Sequence, residues 1–281
     1  MSRGYNTARP GGVSGFGSLG GFDAESPGLS KLAVLPALGT TDIHLVGDDY
    51  VPGELWNSRV GSKVAGAYGP LGDTPLARNS SLPGRRELYN FYNNGTNTSA
   101  MYLETDGSHV LVTSDQITYE QIVRVPNTYS VENYTIGLCT GGAGNPPSTQ
   151  IVNVASAIDA TGGIASLCTN NASGIYSGSL ASAIAPAGQY AMFTTVINNV
   201  AGTWKFFLNG TLTVVQSASV TGTLQALAPG RLGVGGRWDQ ANSNFTLYWG
   251  GSIVEVARHR EALSDGVVAS RAAPFNLVRG Y

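Results

Sequence analysis

Of 281 residues, 38 are glycine and only 12% are charged, where an average soluble domain carries about 25%. Sixteen Lys and Arg against eighteen Asp and Glu leave a formal charge of −2, so there is no basic field to hold a phosphate backbone and nucleic acid is excluded as an expected partner. Apolar residues at 42% supply a substantial core, which argues against disorder, while no run approaches the ~20 apolar residues that cross a bilayer, so no membrane partner is expected.

Residues 1–39 open glycine-rich and pass into a short apolar run, Leu29–Leu38, broken by Pro36. Neither a helical nor a strand period extends over ten residues, and the segment is expected to be an extended arm anchored by Leu32, Val34 and Leu35. It lacks the apolar stretch of a signal peptide, so the chain is expected to be made in the cytoplasm of the producing cell and to leave only inside a larger assembly. From residue 40 to residue 281 the text becomes short apolar or alternating runs punctuated by Gly, Pro, Asn and Ser, the pattern of an all-β sandwich. Strands are predicted at Ala100–Glu104, His109–Thr113, Glu120–Val125, Tyr134–Cys139, Gln150–Ala155, Ala191–Asn198, Thr203–Leu208, Leu212–Gln216, Arg231–Gly235 and Gly251–Arg258.

The sharpest local signal is Trp204–Val215, where Asn209-Gly210 tolerates the positive φ of a two-residue type I′ turn and should close a hairpin. Trp204, Phe206 and Leu208 then share one face and Lys205 and Phe207 the other, so both faces should be covered. Late in the chain Ser264 can cap a helical turn over Asp265–Ser270, with Asp265 at the positive end of the helix.

Three segments carry a family signal. The first is Tyr102-Leu103-Glu104-Thr105-Asp106-Gly107, running on to Val112; the second is Phe193–Asn198 with the Trp204–Val215 hairpin. The third joins Arg231-Leu232-Gly233-Val234-Gly235-Gly236-Arg237 to Tyr248–Arg258 and then to Glu261-Ala262-Leu263-Ser264-Asp265. In this order they resemble the concanavalin A-like jelly roll in its LamG and pentraxin-like form, over roughly 100–273, with 40–88 expected to add a preceding edge strand. The resemblance implies a two-sheet antiparallel jelly-roll sandwich over 40–281 behind the arm of 1–39, and calcium or sugar binding at rim loops or on the concave sheet. Independently of it, Gly233, Gly235, Gly236, Gly250 and Gly251 permit tight approach or bulging, and Ile253, Val254 and Val256 are core candidates. No GK[ST] follows the glycines, so they do not form a phosphate loop.

Acid/base hydrolysis of a glycoside needs two carboxylates about 5–10 Å apart. Glu255 stands alone on its strand and is expected to be solvated or ion-paired with Arg258 or Arg237. Asp42, Asp48 and Asp49 cluster in loop-like text. His44, His109 and His259 are scattered, with no HxxxH or neighbouring Cys that would clasp zinc, and are expected to be structural or surface residues. Cys139 and Cys168 are expected to be small buried apolar residues, their pairing left open. A calcium site would draw on Asp106 and Asp239, a thin ligand set. A sugar site would use Trp238 as the stacking platform with Asp239, Asn242 and Asn244, whereas Trp249 is expected in the core.

From Val125 to Thr203 the only charged residues are Glu132 and Asp159, a neutrality that favours burial against neighbours in an assembly. The leading expectation is therefore a non-enzymatic virion structural protein, a capsid decoration or appendage protein, homo-oligomeric and bound to other virion proteins such as the major capsid protein. In this reading the jelly roll is displayed on the virion and binds host glycans, without a cofactor other than calcium. A carbohydrate-binding lectin module at cell surfaces is the alternative, and a glycan-cleaving enzyme working through Glu255 the remote one.

Overall fold

The computed structural model describes residues 31–67, 75–89, 91–93, 98–99, 101–104, 116–128, 133–140, 151–158, 163–170, 174–184, 186–198, 200–217, 231–239, 244–246 and 248–279. Residues 1–30 of the predicted arm, Asp106, Asn242 and the predicted strand His109–Thr113 lie outside them. The N-terminal part supplies β1 (Thr41–Val46), β2 (Trp56–Asn57), β3 (Val64–Ala67), β4 (Leu76–Asn79) and β5 (Arg86–Tyr89), followed by the short pair β6 (Tyr92–Asn93) and β7 (Thr98–Ser99). The middle supplies β8 (Met101–Glu104), β9 (Gln116–Arg124), β10 (Asn133–Thr140), β11 (Ile151–Ile158), β12 (Gly163–Asn170) and β13 (Gly174–Ile184). The last part supplies β14 (Tyr190–Asn198), β15 (Thr203–Leu208), β16 (Thr211–Ser217), β17 (Arg231–Val234), β18 (Arg237–Asp239), β19 (Asn244–Thr246), β20 (Ser252–His259) and the helix α1 (Asp265–Val278).

Two sheets form an all-β sandwich. The first runs β16-β15-β14-β9-β20-β5-β4 with β1 also on β20, and the second runs β13-β12-β11-β10-β17-β8-β3-β2 with β18 and β19 attached to β10. The pairings are antiparallel except β10 with β18. Between the sheets lies one apolar cluster that draws Leu45, Tyr119, Phe193, Phe206, Trp249 and Val256 from the first sheet and its loops, and Trp56, Met101, Ile136 and Val234 from the second. Phe193 packs against Phe206 and, edge-on, against Trp249, with ring centroids 5.9 and 6.4 Å apart; such offset aromatic pairs add to the burial of their area.

The opposite face of the first sheet is covered by residues 31–38 and by α1. Leu32 and Leu35 are buried there with Ile122, Met192, Val254, Ala272 and Phe275, while Val34 is half-buried. The two faces separate cleanly at the hairpin. Trp204 and Phe206 point between the sheets, whereas Phe207 packs with Val196, Leu263 and Val268 under the helix, and Lys205 reaches Asp265. Asn209 and Gly210 have φ of 55° and 79°, the left-handed pair that a type I′ turn requires.

The structure departs from the sequence reading in several places. Residues 40–88 contribute five strands, not one edge strand, and Asp42 lies within β1 rather than in a loop. The helix runs past Ser270 to Val278, with Pro274 inside it, and Ser264 caps it by accepting from the Val267 N–H. Strands β12 and β13 are rich in Ala, Ser and Gly and lack the strong apolar alternation by which strands are read. Part of the uncharged stretch is explained inside the chain: on β14, Tyr190–Ile197 is buried on both faces, so its neutrality there needs no partner. Cys139 on β10 and Cys168 on β12 have β11 between them; two strand spacings, about 9.6 Å, exceed the reach of a disulfide.

Candidate functional site

The face of the first sheet that meets residues 31–38 carries a buried charge network. A bulge on β20, where the register slips between Ile253 and Glu255, turns both Val254 and Glu255 outward to this face. Glu255 is fully buried: Oε2 accepts from Arg85 Nη2 at 2.7 Å, and Oε1 lies 2.7 Å from His44 Nε2 and accepts from the Leu35 N–H at 2.9 Å. Arg85 continues to Asp48 at 2.9 Å and to the Ala33 carbonyl at 3.4 Å. The expected partners of Glu255 are thus corrected. Arg258 lies one residue out of phase on β20 and bonds Asp42 instead, together with Arg260.

A parallel cluster surrounds Glu120 on β9. It accepts from Arg271 Nε and Nη2, the latter at 2.6 Å, and lies 2.8 Å from His259 Nε2. Thr41 Oγ1 lies 2.8 Å from His259 Nδ1, so hydroxyl, imidazole and carboxylate stand in the order of a hydrolytic triad. Thr41 Oγ1, however, also accepts from the Leu38 N–H at 2.7 Å, and His259 and Glu120 are fully buried. Arg271 Nη1 donates to the Pro36 carbonyl at 2.9 Å. Both clusters therefore grip the backbone of residues 33–38, a structural role for His44 and His259.

These contacts set the protonation of the acids. Burial opposes ionisation of Glu120, but His259 and Arg271 outweigh it and hold the carboxyl below its ordinary range. Burial likewise opposes ionisation of Asp42, and Arg258 and Arg260 win; Asp49 is lowered mainly by its hydrogen bond from Arg59. A carboxyl depressed by folding contributes stability that is present above its unfolded pKa and lost as pH falls through the folded value. With ordinary values of 3.8 and 4.5, stability from urea titrations should be level above about pH 5.5 and fall steadily below about pH 4.5. A denaturation midpoint unchanged down to pH 3 would contradict these linkages.

A second feature opens to solvent where β5, β9 and β20 end. Ser252 pairs across to Tyr89 on one side and to Arg124 on the other, so three strands present one lateral row. The row lines a cleft of about 340 Å³ together with Arg78, Phe91, Asn127, Trp249 and the Gly250-Gly251 pair. The guanidinium of Arg78 stacks on the Tyr89 ring at 4.4 Å while its Nε donates to Glu87 at 2.6 Å. Arg124 Nε donates to the Gly188 carbonyl at 3.0 Å. Glycine at 251 is obligatory: a Cβ there would overlap the Arg124 carbonyl oxygen and come within 2.8 Å of Trp249 Nε1. Trp249 is fully buried, as expected, and donates its indole N–H to the Ser252 carbonyl at 3.2 Å. An aromatic ring, two guanidiniums and an amide around a cleft of this size fit a small polar ligand.

The sequence-based sugar candidates lie elsewhere. Trp238 and Asp239 are on β18, which pairs with β10 and β19, and Asn244 pairs with Asp239 from β19. Asn242 and Asp106 fall outside the described residues, and among the described residues no group of three or more His, Cys, Asp or Glu side chains is placed to hold a metal ion. Also among them, no helix is long and apolar enough to cross a membrane. The cleft escaped sequence reading because Arg78, Tyr89, Arg124 and Trp249 come from separate segments with no shared motif; the one local signal was Gly250-Gly251.

No protein-family model matches the chain, and no curated protein sequence matches it significantly. Its fold is found among solved structures. A sialidase of Trypanosoma rangeli aligns with 87% of this chain at 9% identity and a TM-score of 0.56. The binding domain of Paraclostridial Mosquitocidal Protein 1 aligns with 84% at 10% identity and a TM-score of 0.57. Domain 4 of AbnA, an extracellular arabinanase from Geobacillus stearothermophilus in complex with arabinotriose, aligns with 83% at 16% identity and a TM-score of 0.52. This chain spans about a third of the sialidase (34%), half of the binding domain (52%) and nearly all of the arabinanase domain (98%). At these identities the likeness is one of fold.

Proposed function

We propose that this chain is a non-enzymatic carbohydrate-binding module of the concanavalin A-like, LamG type, which takes sugar in the cleft at the ends of β5, β9 and β20. The observation that carries the reading is the row Tyr89–Ser252–Arg124, in which the half-buried Tyr89 ring and Arg124 guanidinium flank the buried Ser252 at one cleft. The state of the acids supports a binding rather than a hydrolytic role. Glu87, Glu120 and Glu255 are buried and engaged by arginine, and neither Glu120 nor Glu255 lines the cleft. Arabinotriose bound to domain 4 of the arabinanase is consistent with this reading of the fold.

Tyr89 is half-buried and outside the interior cluster, so Tyr89→Ala should remove the stacking face without removing the core. On a glycan array followed by calorimetry, the native chain should bind at least one glycan class, and Tyr89→Ala should bind it about tenfold or more weakly, ~1.4 kcal/mol. A native chain that binds no glycan on the array overturns the reading.

A second reading, display on a virion as a decoration or appendage protein, is favoured by the sheet that ends in β13. Strands β10 to β13 carry no charged residue, and the eleven-residue β13 lies at the end of the order. Uncharged edges of that length are templates for further pairing, as repeated contacts between copies would use. Co-sedimentation with particles supports this reading, and a monomer that never sediments with them removes it.

A further inference from the structure

We infer that the cleft selects sugars bearing a carboxylate, of the uronic-acid kind, with Arg124 as the main anchor and Arg78 as the second. This rests on the carbohydrate reading above. The lining contains two guanidiniums and no carboxylate. Glu87 stands behind Arg78 with its side chain only 2% exposed and offsets that charge, its other oxygen accepting from Tyr190 Oη at 2.7 Å. Arg124 bonds no carboxylate among the described residues, and its one described partner is the neutral Gly188 carbonyl. Among the described residues the cleft therefore holds one guanidinium that no carboxylate bonds, beside a second, a situation that favours an anion.

The geometry suits a carboxylate carried on a ring. In both arginines Nε is already committed to a protein acceptor, which fixes the plane of the guanidinium and leaves the terminal amino groups as donors. Planar guanidinium forks match carboxylate oxygens in paired hydrogen bonds. Arg78 occupies one face of the Tyr89 ring at 4.4 Å, so the ring and its stacked cation form a flat wall. Ser252 and Arg124 stand beside it in the row, and Asn127 adds an amide. A sugar ring against that wall presents its hydroxyls to the polar lining and its carboxylate to Arg124.

The test is calorimetric titration of the full chain with trigalacturonate, with the same trisaccharide as its methyl ester, and with an oligoglutamate peptide of equal charge. Trigalacturonate should bind, its methyl ester should bind at least tenfold more weakly, and oligoglutamate should bind no better than the ester. Arg124→Gln and Arg78→Gln, each checked by thermal melting, should weaken the acid at least tenfold and weaken it by a larger factor than they weaken the ester. Because the acid and ester comparison uses the native chain, a variant that folds poorly does not weaken the test. Equal binding of acid and ester overturns this inference and leaves the carbohydrate reading standing. Oligoglutamate bound as tightly as trigalacturonate shows that charge alone is read and also overturns it. Failure of every sugar, on the array and here, removes both.

Discussion

Glu255→Ala is expected to destabilise the chain by about 3–5 kcal/mol, the cost of breaking a buried ion pair by removing one of its members. Glu255 accepts from Arg85, approaches His44 and holds the Leu35 N–H, and Glu255 and Arg85 are fully buried. Its removal leaves the buried Arg85 guanidinium with Asp48 as its one carboxylate among the described residues and frees the Leu35 N–H at the same time. The margin of a folded domain is about 5–15 kcal/mol, so the loss consumes a large part of it. Urea denaturation at neutral pH measures it directly. Glu255→Gln keeps one acceptor but sets an amide donor against either Arg85 or the Leu35 N–H, and should fall between alanine and the native chain. A loss below about 1 kcal/mol for Glu255→Ala would mean that the network is not what holds residues 31–38.

The second large effect is expected at Gly251. Alanine there places Cβ against the Arg124 carbonyl oxygen and close to Trp249 Nε1, with backbone rather than a yielding side chain in the way. Strands β9 and β20 would have to part where the Tyr89–Ser252–Arg124 row is built, a loss of about 3 kcal/mol or more, at the top of the range for overpacking. Glycan binding should fall with it because the row is displaced. Gly266, in the first turn of α1, is the control: nothing lies within 4 Å of its would-be Cβ, and Gly266→Ala should be neutral or stabilising by up to about 1 kcal/mol. Thermal melting of the pair separates them; similar behaviour of both variants would contradict the packing described here.

What the sequence disclosed was local chemistry. Asn209-Gly210 named its own turn, Ile253 and Val256 declared an interior strand, and Ser264 with Asp265 marked a helix start, because each signal is complete within a few residues. Glu255 shows where such reading stops. Its charge was visible, but its partners Arg85 and His44 are 170 and 211 residues away, and the bulge at Val254 that turns it to the outer face has no sequence signature. Residues 31–38 were readable as an apolar anchor only in outline, since Glu255, Arg85 and Arg271 bind their backbone, which carries no side-chain code. The expected sugar platform at Trp238 followed from exposed aromatics near a loop. The proposed cleft is a lateral row across neighbouring strands, and lateral rows depend on register, which only the assembled sheet defines.

The most direct test of where ligand binds is a heteronuclear NMR titration of the 15N-labelled chain with the best glycan from the array. Binding at the cleft predicts shifts at Tyr89, Arg124, Ser252 and the Trp249 indole N–H, with Trp238 and Asn244 unmoved. Shifts centred on Trp238 and Asn244, with the Tyr89–Ser252–Arg124 row silent, would contradict it.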